Sequence, residues 1–586
     1  MSLCDVCSDL LKDVVALVQR ASAHIVQRIR DCIASLTRCP CLKKDKENLG
    51  KDREPVLQRH EREAAQEFLQ HLDTESDQPL LNQQCLHALK TLSISENPKL
   101  QQSAAIYYLH ISQQGITQLP PKFLECYHAL LQSHDLEVQK ITSLSLVNLL
   151  TEEKVTKETV VQMGLLEPIL ELLGSGDQTV QCNSCACVAM LATSASNREA
   201  IVSIGGILPL LVLCKSYEPR VQQNAIGAIL NLTRSETTRE VLCKEGALPL
   251  LMILLQSPDS EIQYYSCAAL SNIATCSGHH MALLQVGNCF LLKTLLSLML
   301  SSVEKICCQS CCCLRNLSVN VHTQEDMISM GCIKQLAALL QSSSKAVWES
   351  AVTLLSALSQ HPPNRDEIVN EGILETLGKW LLQSDGNCMI VFSHISLVLK
   401  NLNDSKYLQA LINSKCVNGI IKTFTLTTCT ENTEEPLLSM TKCLKELAEF
   451  EIISLHIGDL LESEQIQHLV SLAIQQESAE VAFHAACIIR QMQAHGQVNQ
   501  LLKRHTANIL RYLLQFLRSQ EIGLQQLAIS TLCQLKEDAD FSAAIQMSPI
   551  LEQLHKVQKQ TDKTQDLLRM AMLSSSKGDG EENSEL

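Results

Sequence analysis

The first chemistry this sequence offers is sulfur: 27 cysteines in 586 residues, each a metal ligand or nucleophile wherever its thiol is deprotonated. The densest run is ICCQSCCCLRNL, in which Cys308 and Cys311 have the C-x-x-C spacing of a metal or redox pair. A structural zinc site needs four convergent ligands. On a helix, Cys307 and Cys311 share one face while Cys308 and Cys312 share another, so the run reads as small packed hydrophobes and no metal is expected. Cys4 and Cys7 repeat the spacing, but no second C-x-x-C or H-x-x-H pair follows at a suitable distance. Catalytic signatures are missing as well. HEREA at His60 lacks the second His of a zincin, GSGDQT at Gly174 lacks the third Gly of a dinucleotide fingerprint, and neither a P-loop nor G-x-S-x-G is found. The expectation is a protein that is not an enzyme and needs no cofactor.

Composition narrows the class further. Hydrophobic residues make up 46% of the chain and aromatics 3%, with 21 Gly and 15 Pro. That mix suits helices packed through Leu, Ala, Val and Cys. It excludes collagen-like, low-complexity and broadly disordered chains and disfavours β-sandwiches. A formal net charge of −15 argues against nucleic-acid binding, which needs a concentrated basic face. No stretch reaches the roughly 18 apolar residues of a spanning helix, and the best, Ala200 to Cys214, contains Gly-Gly and Pro. The amino-terminal MSLCDVCSDLLKD has acidic residues where a signal peptide carries basic ones, so the thiols are expected in a reducing compartment.

The elements that hold these residues recur. Segments ending SLVNLLT, AMLATS, AILNLTR, LSNIAT, LRNLSV, LSALSQ and LKNLND place an Asn, or a substitute, at Asn148, Met190, Asn231, Asn272, Asn316, Ala357 and Asn401, in steps of 42, 41, 41, 44, 41 and 44 residues. A Gly before an apolar run keeps the same time at Gly164, Gly206, Gly246, Gly287, Gly331 and Gly372. Weaker copies at His110, Glu446, Gln491 and Gln534 extend the register to about eleven units. In RVQQNAIGAILNLTR, Val221, Ala225, Ala228, Ile229 and Leu232 follow the spacing of an amphipathic helix. SETTREVLCKEG follows, with a capping residue at Ser235 and a helix-stopping Gly246. ALPLLMILLQ is apolar almost all round and so is buried, and SPDS turns the chain into the next long helix. His279 and His280 fall in a connection between units and are expected to be solvated. Each unit is thus a short helix, a buried helix and a longer third helix. Three such helices close a core only against their neighbours, so the fold class is all-α, a right-handed superhelical solenoid. Residues 561–586 are expected to form a largely disordered acidic tail.

GALPLLMILLQSPDSEIQYYSCAALSNIA and VQQNAIGAILNLT resemble armadillo repeats, and the chain is similar to the vacuolar protein 8 group of that family from about His60 to about Asp404. The resemblance implies well-defined armadillo repeats over 58–404, while degenerate ones over 405–560 are expected from the periodicity alone. It also implies a concave groove lined by the third helices, where Asn148, Asn231, Asn272, Asn316 and Asn401 hydrogen-bond the main chain of an extended partner peptide. A carboxamide carries both donor and acceptor, and at about 0.5–1.5 kcal/mol net per bond the affinity must come from a ladder of them. The competing role is to brace neighbouring repeats. Met190 and Ala357 interrupt the ladder. Arg315 and Lys400 stand beside Asn316 and Asn401, where they either meet acidic groups of a partner or lie on a solvated face. Nuclear import receptors share the fold but pair each Asn with a Trp one turn earlier, and Trp348 and Trp380 are not in that position.

Residues 1–57 lie outside the period. The same resemblance implies a lipidated amino terminus: MSLCDVC and CPCLKKD offer Cys4, Cys7, Cys39 and Cys41 for acylation, whereas Ser2 stands where N-myristoylation needs a glycine. Between the cysteine pairs, Leu11, Val14, Val15, Val18, Ile25, Val26, Ile29, Ile33 and Leu36 form an apolar stripe, with Lys12, Arg20, Arg28 and Arg30 elsewhere. Such a helix lies in a bilayer interface, or docks on the first repeat as a cap. The expected protein is a non-enzymatic scaffold on the cytosolic face of a vacuole- or lysosome-type membrane. It recruits extended segments of partner proteins for organelle tethering, fusion, inheritance or autophagy, and takes no nucleic acid or small-molecule substrate. The alternative is a soluble cytosolic or nuclear armadillo scaffold with no lipid anchor.

Overall fold

The computed structural model describes residues 57–573 apart from 75–82, 116–117, 286–288, 385–387, 428–432, 476–477 and 559, together with Gln27, Ile29 and Asp31. The described residues form helices and no strand. No single helix among them is long and apolar enough to cross a membrane. The chain divides between Thr294 and Leu295 into two compact units.

Each repeat ends in a long helix, and these carry the register. The first unit holds α1 (Pro98–Gln113), α2 (Leu136–Thr151), α3 (Gln178–Leu191), α4 (Pro219–Leu232) and α5 (Ser260–Ile273). The second holds α6 (Glu304–Leu317), α7 (Lys345–Leu358), α8 (Met389–Asn401), α9 (Glu434–Leu447), α10 (Ala479–Met492), α11 (Ile522–Leu535) and α12 (Asp562–Leu573). Successive long helices pack side by side within each unit. Helices Glu236–Lys244 and Ala247–Leu254 precede α5, which is the short, buried, long order read from the sequence.

Residue chemistry sets the helix boundaries. Asp135, Asp177 and Asp259 cap α2, α3 and α5, each carboxylate accepting first-turn backbone N–H groups. Pro98 and Pro219 open α1 and α4, where a missing N–H has no intrahelical partner to lose. Val221, Ala225, Ala228, Ile229 and Leu232 are each 0% exposed, so the stripe read from the sequence is the packing face of α4. Burying each Val, Leu or Ile there contributes roughly 1.5–3 kcal/mol. Ser235 does occupy the N-cap of Glu236–Lys244, but its hydroxyl pairs with that of Thr237 at 2.9 Å and no side-chain cap forms.

The periodic glycines turn out to have two roles. Gly164, Gly246, Gly331 and Gly372 are left-handed, with φ from +69 to +83. In the second of these repeats the left-handed residue is Gly205, not Gly206. A Cβ on Gly206 would lie 2.8 Å from the Ile201 side chain, so close packing is what demands glycine there. Gly287 is outside the described residues. After Gly372 the left-handed slot passes to Lys415 at φ +60, just ahead of helix Cys416–Leu426.

The register persists where the motif fades, since Glu446, Gln491 and Gln534 fall within α9, α10 and α11. The final helix α12 lies in the stretch expected to be acidic tail. Thr564, Leu568 and Ala571, spaced i, i+4, i+7, are at most 2% exposed, and this short stripe holds α12 on α11. The acidic cluster of Asp579, Glu581, Glu582 and Glu585 lies beyond the described residues.

Candidate functional site

The asparagines of the ladder end their long helices, and four of them reach back to the preceding repeat. Asn148 Nδ2 donates to Ser112 Oγ at 3.2 Å, Asn272 Nδ2 to Thr233 Oγ1 at 2.9 Å and Asn401 Nδ2 to Ser359 Oγ at 2.9 Å. Before Asn231 the residue equivalent to those hydroxyls is Ala192, and Asn231 Nδ2 instead reaches the Ala189 carbonyl at 2.8 Å. Asn148 and Asn231 are 5% and 1% exposed. Their expected role in an open groove is therefore corrected to bracing, because an amide sealed against the neighbouring helix leaves no path for a partner's main chain. Asn272, Asn316 and Asn401 are half-buried and keep an exposed part.

Asn231 completes the last turn of α3. Val188 accepts from the N–H of Ala192, Met190 from Thr193 and Leu191 from Ser194, while Ala189 accepts from Asn231. No carbonyl of that turn is orphaned, as buried backbone requires. Just beyond, Arg198 Nη1 donates to the carbonyls of Ala192 and Thr193 at 3.1 and 3.0 Å.

Arg198 belongs to a third periodic series that the sequence reading missed. Arg198, Arg239, His280, Gln324 and Arg365 each bind the carbonyl six residues earlier, at 3.1, 3.1, 2.8, 2.6 and 3.1 Å. Donors there satisfy the ends of the long helices, and the cations among them also oppose the helix dipole. The steps of 41, 41, 44 and 41 were visible in the sequence, but the changing residue type hid them. His280, expected to be solvated, is 4% exposed, and its Nε2 carries the proton shared with the Ala274 carbonyl.

The open part of the groove in the first unit is a cleft of about 470 Å³ across α2, α3 and α4. Its floor is apolar, made of Ile141, Leu144 and Val147 from α2 and Ala186 and Met190 from α3. Two carboxamides that the sequence reading passed over, Asn183 and Asn224, also line it, each seven residues ahead of a ladder position. Asn183 Nδ2 donates to Ser143 Oγ at 3.1 Å and Asn224 Nδ2 to the Cys182 carbonyl at 3.2 Å. Their Oδ1 atoms accept no hydrogen bond among the described residues, so a partner N–H has two acceptors to meet. Lys140 on the rim lies 3.1 Å from both Glu137 and Asp177, whose carboxylates raise its pKa. Cys182 in the cleft is kept neutral by burial, against the opposing pull of the Asn224 amide.

The remaining candidates are engaged locally. Arg315 Nη2 donates to Asn316 Oδ1 at 3.1 Å, and Lys400 Nζ lies 3.8 Å from the Glu446 carboxylate on α9. Cys307 and Cys311 are each 1% exposed while Cys308 and Cys312 are half-buried, the two-faced arrangement expected of the run. The hydrogen bond between the Cys307 and Cys311 thiols lowers the pKa of the first and raises that of the second. Among the described residues no three His, Cys, Asp or Glu side chains converge on a possible metal position. Trp348 stacks on Trp380 at 4.2 Å between ring centres, and its indole N–H donates to the Leu340 carbonyl at 2.8 Å, which places Trp348 in the core with the half-buried Trp380 against it. Cys4, Cys7, Cys39 and Cys41 lie outside the described residues.

Residues 155–193, 194–234 and 236–275 match the armadillo/beta-catenin-like repeat family. Vacuolar protein 8 of Gibberella zeae is 37% identical over 110 residues, 19% of this chain and 20% of that protein. Vacuolar protein 8 of Komagataella pastoris is 34% identical over 126 residues, 22% of each, and that of Candida albicans 37% over 119 residues, 20% of each. The chain thus matches about a fifth of the length of these curated relatives. The crystal structure of an engineered protein superposes with a TM-score of 0.59 at 23% identity, covering 70% of this chain and 98% of the other, and so shares the fold.

Proposed function

We propose that this armadillo-repeat solenoid, by its fold a protein-binding scaffold, captures an extended segment of a partner protein in the cleft across α2, α3 and α4. The observation that carries the reading is the pairing of an apolar floor with the open acceptors of Asn183 and Asn224, within residues that match armadillo repeats. Asn272 in the first unit, and Asn316 and Asn401 in the second with Arg315 and Lys400 beside them, are the further partner contacts. Proximity labelling followed by mapping of the bound segment identifies the ligand. Two lost hydrogen bonds of about 0.5–1.5 kcal/mol each correspond to roughly 5- to 150-fold weaker capture in the Asn183→Leu/Asn224→Leu variant. Undiminished capture overturns the reading.

The likeness to proteins named vacuolar protein 8 supports a place on the cytosolic face of a vacuole- or lysosome-type membrane, with Cys4, Cys7, Cys39 and Cys41 as acylation sites. The work done there is tethering, fusion, inheritance or autophagy of the organelle. Acyl chains together with an apolar helix face supply the two signals that stable anchoring takes. In fractionation, wild type pellets with membranes and the fourfold Cys→Ser variant stays soluble. Equal distribution of the two rejects the anchor. One observation favours the soluble reading: Ile29, on the apolar stripe, is 0% exposed while Gln27 and Asp31 are exposed and paired at 3.0 Å. A buried stripe residue is what a cap requires.

A further inference from the structure

The groove changes character at Met190, one of the gaps in the amide ladder. The Met190 thioether lies 3.4 Å from the Thr151 hydroxyl, whose proton goes to the Val147 carbonyl at 2.8 Å, and packing keeps Met190 8% exposed at the edge of the cleft. One turn earlier Ala186 presents a single methyl, and Ile141 and Leu144 complete a half-buried apolar wall. An amide at position 190 would make this wall polar. With Met there, and with Ala below it, the wall is both apolar and recessed.

The rim decides which charge is admitted. Lys140 is held between Glu137 and Asp177, which offset its charge with one negative charge in excess, so no free cation is offered to an acidic segment there. Arg220 and Glu218, opposite in sign, are the other ionised residues lining the cleft. A strongly acidic or basic segment gains no net attraction from that pair, and either one loses hydration on entry.

We infer that the cleft is an anchor subsite for one large apolar side chain, Leu, Met or Phe, carried by an extended partner segment that is uncharged at that point. The main chain on either side of the anchor donates to Asn183 and Asn224. The inference rests on the groove reading above and adds the chemistry of the partner to it.

Panning a phage-displayed library of random peptides on the full-length protein tests this. The selected peptides are expected to share one large apolar position with no charge next to it. Their affinity is expected to fall about 10- to 100-fold, the value of burying one such side chain, on Ala186→Phe, whose ring fills the recess, and on Met190→Asn, which makes the wall polar. Circular dichroism and the melting temperature establish that each variant is folded, and Met190→Asn decides the matter if Ala186→Phe is not. Peptides that share a charged position or no apolar one, or that bind both variants as tightly as wild type, overturn the anchor while leaving the groove reading in place. If no peptide is selected whose binding Asn183→Leu/Asn224→Leu weakens, the groove reading itself fails.

Discussion

An asparagine at the end of a long helix reads the same in a sequence whether its amide meets a partner or a neighbouring repeat; packing makes the choice. At Asn231 the neighbour is a buried carbonyl with no other donor, so Asn231→Ala leaves Ala189 O orphaned and is expected to lower stability by about 1–3 kcal/mol. At Asn401 the partner is the Ser359 hydroxyl on a half-buried side, and Asn401→Ala is expected to cost under about 1 kcal/mol. Urea unfolding of the two variants compares them directly, and equal losses reject the burial argument. His484 gives a second residue-scale expectation. It is 8% exposed beside Thr441, and burial, then the charges of Lys445 and Lys442, lower its pKa to about 4. The unfolded value is about 6.5, so within this window the unfolded chain binds the proton and the folded one does not. Above about pH 6.5 the residue has no effect. As pH falls from about 6.5 to about 4, stability drops by up to roughly 3 kcal/mol, and His484→Gln is expected to flatten that part of the thermal-midpoint profile.

At the scale of elements, legibility followed residue type. The stripe from Val221 to Leu232 and the stop at Gly246 could be read because each job admits few residues: an apolar face at helical spacing, and a left-handed turn. Bracing by Asn148 and Asn231 stood only as the competing role, and the donors from Arg198 to Arg365 and the helix α12 were not read, because an amide does not reveal its partner, carbonyl capping accepts Arg, His or Gln, and three buried side chains in a polar stretch make a weak period. The capping donors make a measurable claim. Arg239→Met, which keeps most of the stem and loses the bond to the Thr233 carbonyl, is expected to cost about 1–2 kcal/mol in urea unfolding; no loss would show that water replaces the guanidinium freely. Lys415 is the converse case, a side chain in a slot that glycine fills in earlier repeats. A left-handed L-residue costs roughly 1–2 kcal/mol, and the extra backbone entropy of glycine offsets part of that. Lys415→Gly is therefore expected to stabilise by up to about 1 kcal/mol, read as a raised melting temperature.

At the scale of the whole chain, a stack of repeats must protect its last apolar face at each end. The last described helix, α12, turns Thr564, Leu568 and Ala571 inward and leaves Asp566, Arg569, Met570 and Met572 exposed. At the amino end the same need competes with membrane attachment for one apolar stripe, and Ile29 separates the two demands because it is already buried. If acylated cysteines hold the membrane while the stripe caps the stack, the functions come apart under mutation. Ile29→Asp places a charge in an apolar contact and is expected to lower the melting temperature and speed hydrogen exchange in α1, with the membrane-bound fraction unchanged. The fourfold Cys→Ser variant is expected to do the reverse. Release of Ile29→Asp from membranes with no change in exchange would mean that the stripe faces lipid, and the capping role would then have to be given up.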